Sequence, residues 1–144
     1  MGVALSPCVV PAAGRETFEL PAGEMEIGMG IHGEPGICAG PLEPADRIAD
    51  TIVGALLDDL PYAPGEKAAV LVDSLGATPR EELYLLYRRA HALLVDAGVK
   101  IARVRVGEYA TSLEMAGASI SLLKLDEELI RLLDAAAESP FVQQ

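Results

Sequence analysis

Lys67-Ala68-Ala69-Val70-Leu71-Val72, running on into Asp73-Ser74-Leu75-Gly76-Ala77-Thr78-Pro79, is the stretch on which the fold turns. The first part is a continuous apolar run, as expected of a central strand covered on at least one face by helices. The second part ends that strand and starts a helix. Thr78 with Glu81 has the spacing of a capping box, and Pro79 is expected at the first helical position, where its fixed φ and missing N–H cost nothing. The predicted helix buries Leu83, Leu86, Tyr87, Ala90, Leu94 and Ala97 and stops at Gly98. A buried strand leading through a short connection into an amphipathic helix indicates an α/β domain.

Working outward, Val99 to Val106 reads as another strand, in which Ile101, Val104 and Val106 alternate with Lys100, Arg103 and Arg105. One solvated face and a place near the sheet edge follow. Gly107 to Gly117 is a loop or short helical turn, Ala118 to Leu125 a last strand, and Asp126 caps a final helix. Upstream, Ala45 to Leu60 has a strong helical period, with Ile48, Ile52, Val53, Leu56, Leu57 and Leu60 on one side and Asp46, Arg47, Asp50, Asp58 and Asp59 on the other. Before it, Val3 to Ser6, Thr17 to Leu20 and Met25 to Met29 are short strands broken by Pro and Gly, a spacing that favours an antiparallel meander. Gly33 to Pro44, dense in Gly and Pro, reads as loop. The expected architecture is a two-layer α/β domain with a mixed, roughly six-stranded sheet. A three-strand meander leads into right-handed parallel crossovers and a final antiparallel strand.

The chain has 144 residues and is 51% hydrophobic, with a mean hydropathy of +0.30, enough for a single domain with a real core. No apolar run reaches the roughly 20 residues of a membrane span. A formal net charge of −11 repels phosphate backbones and anionic membrane surfaces, which argues against nucleic acid or a membrane as partner. Cys8 and Cys38 are too few for a disulfide framework, and no signal peptide opens the chain; a reducing cytoplasm fits. Gly2 to Ser6 reads as a strand with no cap or linker before it, as in a chain that begins mid-protein.

Chemistry concentrates in Gly28-Met29-Gly30-Ile31-His32-Gly33-Glu34-Pro35-Gly36. Glycines on both sides of His32 remove side-chain bulk, so a small molecule can approach the imidazole closely. Pro35-Gly36 then turns the chain away. His32 reads either as a hydrogen-bonded structural histidine or as a nucleophile or acid-base group, since with a reference pKa of about 6.5 roughly three-quarters of it is neutral at pH 7. A metal site lacks ligands: His91 is the only other histidine and reads as a helix-surface residue. Glu34 could orient His32 or act as an acid or base, but a glutamate in such a turn is more often simply solvated. The Asp73 to Gly76 loop lies where α/β sheets often bind ligands, yet a capped connection looks the same. It lacks a phosphate cradle, so no nucleotide cofactor is expected on this chain. No nucleophile elbow surrounds Ser6, Ser112, Ser119 or Ser139.

Four segments together carry a resemblance: Gly2 to Ser6, Glu24 to Gly36 with its Gly-Ile-His-Gly-Glu-Pro-Gly core, Asp73 to Pro79, and Thr111 to Ser119. They resemble the dihydroxyacetone kinases, and more narrowly the second, C-terminal half of the substrate-binding DhaK subunit, over nearly all of Met1 to Ser139. The resemblance implies that residues 1–144 form that second domain, with the first domain absent from this chain. It also implies that His32 matches the histidine to which dihydroxyacetone attaches as a hemiaminal, making His32 both the catalytic and the substrate-binding residue. Asp73 stands where the family usually shows Asn, and Glu108 where Asn is common after Gly107.

By the same resemblance, phosphoryl transfer requires the first DhaK domain and a DhaL-type subunit that carries the donor, either ATP-Mg or a phosphotransferase-system protein. The isolated chain is then expected to be inactive as a kinase. A homodimer is expected. The alternative is a DhaK-like triose sensor that regulates transcription without kinase activity.

Overall fold

A computed structural model of the chain describes residues 1–31 and 34–140. The central sheet has six strands in the order β5-β4-β1-β8-β6-β7, formed by β1 (Gly2–Ala4), β4 (Glu24–Ile27), β5 (Cys38–Pro41), β6 (Lys67–Ser74), β7 (Lys100–Gly107) and β8 (Gly117–Leu125). A small separate hairpin is made by β2 (Val9–Val10) and β3 (Arg15–Glu16). The helices are α1 (Ala45–Asp59), α2 (Arg80–Asp96) and α3 (Glu127–Leu133).

The apolar run from Lys67 to Val72 is a central strand. β6 pairs in parallel with β7 and antiparallel with β8. Ala68, Val70 and Val72 on it are 0–2% exposed, facing the core made with α1 and α2, which pack on one another. Following the pairings from β6 through β8, β1 and β4 leaves β5 parallel to β6. Both β5-α1-β6 and β6-α2-β7 are therefore parallel crossovers, and β8 is the antiparallel strand. β7 is an edge strand, as its alternating pattern predicts.

The meander is present, with β1 and β4 at two of the expected strands and a different third strand. Thr17 to Leu20 is not a strand; the short hairpin β2-β3 precedes it, and the third strand of the meander is β5, inside the stretch that reads as loop. The cause is physical. An edge strand needs only backbone groups to pair, so Cys38-Ala39-Gly40-Pro41 joins β4 despite a composition of poor strand formers, and Pro41 is tolerated there because an edge strand leaves backbone groups unpaired.

The start of α2 also departs from the expected capping box. Pro79 is the cap residue, with no side-chain cap bond, and helix begins at Arg80. Thr78 Oγ1 is engaged elsewhere, accepting the Gly117 N–H at 2.8 Å. Glu81 and Glu82 in the first turn still favour the positive helix end. At α3 the expected cap is present, with the Asp126 carboxylate accepting the Leu129 N–H at 2.7 Å.

Candidate functional site

The glycine-rich segment around His32 is the loop of a hairpin. β4 and β5 pair antiparallel with Ile27 opposite Cys38, so residues 28–37 connect two neighbouring strands. Pro35-Gly36 consequently brings the chain back onto β4 rather than away from it. Ile37 N–H donates to Ile27 O at 2.8 Å, and Gly36 N–H donates to Glu26 Oε1 at 2.5 Å. His32 and Gly33 lie outside the described residues; the residues on both sides of them are well tied.

Gly28 has φ +89°, and a Cβ there would lie 2.9 Å from Ile37 Cγ1 and 3.0 Å from Ile37 N, so this position demands glycine on two counts. Its N–H donates to Gly2 O at 2.7 Å. Met29 is 5% exposed and enters a small second core with Ala4, Cys8, Leu75 and Met115. Gly30 N–H donates to Glu34 O at 3.2 Å, closing the segment that spans positions 32 and 33. Glu34 is exposed. Ile31 O accepts the Ser112 hydroxyl at 3.0 Å.

The platform beneath this loop is built from the other two motifs. Asp73, 2% exposed, accepts the Tyr109 N–H at 2.6 Å and the Ala110 N–H at 3.3 Å. Burial pushes its carboxyl above the ordinary range, the two N–H donors oppose that, and the negative charge of Glu108 adds to it. Ser74 Oγ donates to Thr78 O at 2.8 Å and accepts the Gly76 N–H at 3.2 Å. Gly76, at φ +134°, would place a Cβ 1.9 Å from Leu113 O, so glycine here allows the 73–78 and 109–116 loops to touch. Ser112 N–H donates to Leu75 O at 2.8 Å and Ala77 N–H to Met115 O at 3.0 Å. The loop at the end of β6 is thus a structural connection with its polar groups committed within the fold.

A cavity of about 310 Å³ opens beside Ile31, lined by Cys8, Val10, Thr17, Ser112 and Met115 among others. Cys8 Sγ lies 3.5 Å from Thr17 Oγ1 and 3.7 Å from Ser112 Oγ. His91 is on the exposed side of α2, edge-on to Tyr87 with ring centroids 5.8 Å apart, and takes no part in this region. Among the described residues no three His, Cys, Asp or Glu side chains converge as a metal site, and no helix is long and apolar enough to cross a membrane.

In the sequence His32 stands out by type and setting, and Ser112 does not. No histidine stands near the serine in the chain, whereas the fold brings its hydroxyl to the carbonyl of the residue before His32. The available signal is its place in Thr111 to Ser119, one of the four segments that carry the family resemblance together with the His32 segment.

Comparison with known proteins gives the family and the fold. The Dak1 domain model matches residues 1–141. The chain is 47% identical to a protein of Listeria innocua described as the dihydroxyacetone-binding subunit DhaK of PTS-dependent dihydroxyacetone kinase 2, over 98% of this chain and 43% of that protein. Among solved structures it resembles a dihydroxyacetone kinase operon co-activator, DhaQ, with TM-score 0.85 and 31% identity, covering 94% of this chain and 42% of that one. It also resembles the dihydroxyacetone kinase of C. freundii in complex with AMP-PNP and Mg²⁺, with TM-score 0.75 and 31% identity, covering 92% and 24%. The chain spans less than half the length of these relatives.

Proposed function

This chain belongs to the Dak1 domain family, and we propose that it is the substrate-capturing domain of a dihydroxyacetone kinase, holding dihydroxyacetone covalently on His32. One ring nitrogen adds its lone pair to the ketone carbon, and the carbonyl π pair moves to oxygen. The proton lost from the second ring nitrogen ends on that oxygen, so the whole triose is added and no water leaves. The observation that carries this reading is the tying of the Gly28 to Gly36 hairpin loop on both sides of His32, in a chain 47% identical to a dihydroxyacetone-binding subunit.

Covalent capture answers an energetic difficulty. With six non-hydrogen atoms, dihydroxyacetone has a non-covalent ceiling of about 9 kcal/mol at about 1.5 kcal/mol per atom, and a well-hydrated triose falls far below it. A reversible carbon–nitrogen bond supplies the difference. It also selects for carbonyls, because glycerol has none to attack.

Residues 1–144 on this reading are the second domain of a DhaK-like subunit. The first DhaK domain and a DhaL-type subunit, with ATP-Mg or a phosphotransferase-system donor, complete the kinase, and the isolated chain transfers no phosphoryl group. A cytoplasmic homodimer belongs to the same reading. Intact-mass measurement tests the capture step: the chain with dihydroxyacetone should gain the mass of one whole triose, His32→Ala should gain nothing, and glycerol should add nothing to either. An adduct that survives His32→Ala, or none on the wild-type chain, overturns the assignment.

A second reading, a triose sensor that regulates transcription, is favoured by the greater TM-score to the operon co-activator than to the kinase. His32 would serve both. A neighbouring gene for a DhaL-type subunit supports the kinase, and a neighbouring gene for a transcription regulator supports the sensor.

A further inference from the structure

We propose that Ser112 is a positioning residue for the capture step, acting through the backbone that carries His32. This rests on the reading of His32 given above. Three observations support it. The Ser112 hydroxyl donates to Ile31 O at 3.0 Å, and that carbonyl belongs to the peptide unit joining Ile31 to His32. The serine itself has little freedom, because its N–H donates to Leu75 O at 2.8 Å and its carbonyl accepts the Met115 N–H at 3.1 Å. Those partners are anchored in turn, since Leu75 and Met115 are each 1% exposed in the second core. A rigid donor is thus set against the carbonyl of the residue that precedes the proposed nucleophile, where it restrains the backbone leading into it.

The thiol of Cys8 backs this contact. Thr17 Oγ1 donates its proton to Cys8 O at 3.2 Å, and Ser112 donates its proton to Ile31 O. Both hydroxyls therefore face the thiol as acceptors, and the single S–H serves either without taking the Ser112 proton from Ile31. The hydroxyl is held in the orientation that serves the hairpin loop.

The test compares three variants of the full chain by two readouts: dihydroxyacetone capture by intact-mass titration, and hydrogen exchange of the 28–36 segment without ligand. Ser112→Ala should weaken capture about three- to tenfold, the range expected from one lost hydrogen bond, and speed exchange in that segment. Ser112→Thr keeps the hydroxyl and should restore both. Ser6→Ala is the control, because Ser6 Oγ accepts the Ala116 N–H at 3.0 Å and so supports the same loop without touching Ile31. It should leave capture unchanged. Capture and exchange unaffected in Ser112→Ala, no rescue by threonine, or an equal loss in Ser6→Ala would each overturn the positioning role. If the wild-type chain captures nothing, the reading of His32 fails, while exchange in the 28–36 segment still decides whether Ser112 holds the loop.

Discussion

Asp73 is a carboxylate 2% exposed at the end of a central strand, held by two backbone N–H groups and facing the charge of Glu108. Its pKa is raised in the folded chain above the ordinary 3.8, chiefly by burial. The native state therefore binds more protons than the unfolded state in the window above that value. Stability contributed by the protonated form is present below the window and lost as pH rises through it. Asp73→Asn keeps an acceptor for Tyr109 and Ala110 without the charge. It should raise stability at pH 7 by about 1 kcal/mol, with little gain at pH 4, as read from urea midpoints. An equal gain at both pH values would mean that the charge is not the cause. The residue scale was partly legible in sequence: His32 and the glycines around it stood out by type, while Ser112 did not, because its partner is 81 positions away.

At the scale of elements, β6, α1, α2, β7 and β8 were readable within a few residues because each carries a long periodic or continuous apolar signal. β5 was not, since Cys38–Pro41 is short, exposed and made of residues that favour turns. Its pairing depends on β4 lying alongside. The start of α2 shows the same dependence. Thr78 has a capping pattern in sequence, but its hydroxyl accepts from Gly117 at the start of β8 and its carbonyl accepts from Ser74. Thr78→Ala should cost about 1–3 kcal/mol by leaving the Gly117 N–H of a buried residue without its acceptor, and Thr78→Ser should recover most of it. Chemical denaturation measures both. A loss in Thr78→Ala that serine does not recover would place the effect in the methyl group instead.

For the whole molecule, the sheet has two unlike faces. α1 and α2 cover one, whereas on the other Ala69, Leu71 and Leu123 floor an open groove of about 740 Å³ beside Arg103, Arg105 and Leu133. Two residues on β8 report on these faces. Ile120, 0% exposed, should cost about 3 kcal/mol as Ile120→Ala. Leu123, 44% exposed on the other side, should cost less than about 1 kcal/mol as Leu123→Ala. Thermal unfolding of the two variants checks the register of β8, because a slip by one residue would exchange their costs.

The chain's local chemistry determined that there would be a buried strand at Lys67, two amphipathic helices and a glycine-framed histidine, because apolar periodicity and backbone permissiveness act over a few neighbouring residues. Only the tertiary structure decided that the histidine segment is a hairpin loop, that β5 closes the meander, and that Thr78 and Ser112 serve distant backbone groups. Those outcomes depend on hydrogen bonds between residues far apart in sequence, which no local pattern encodes.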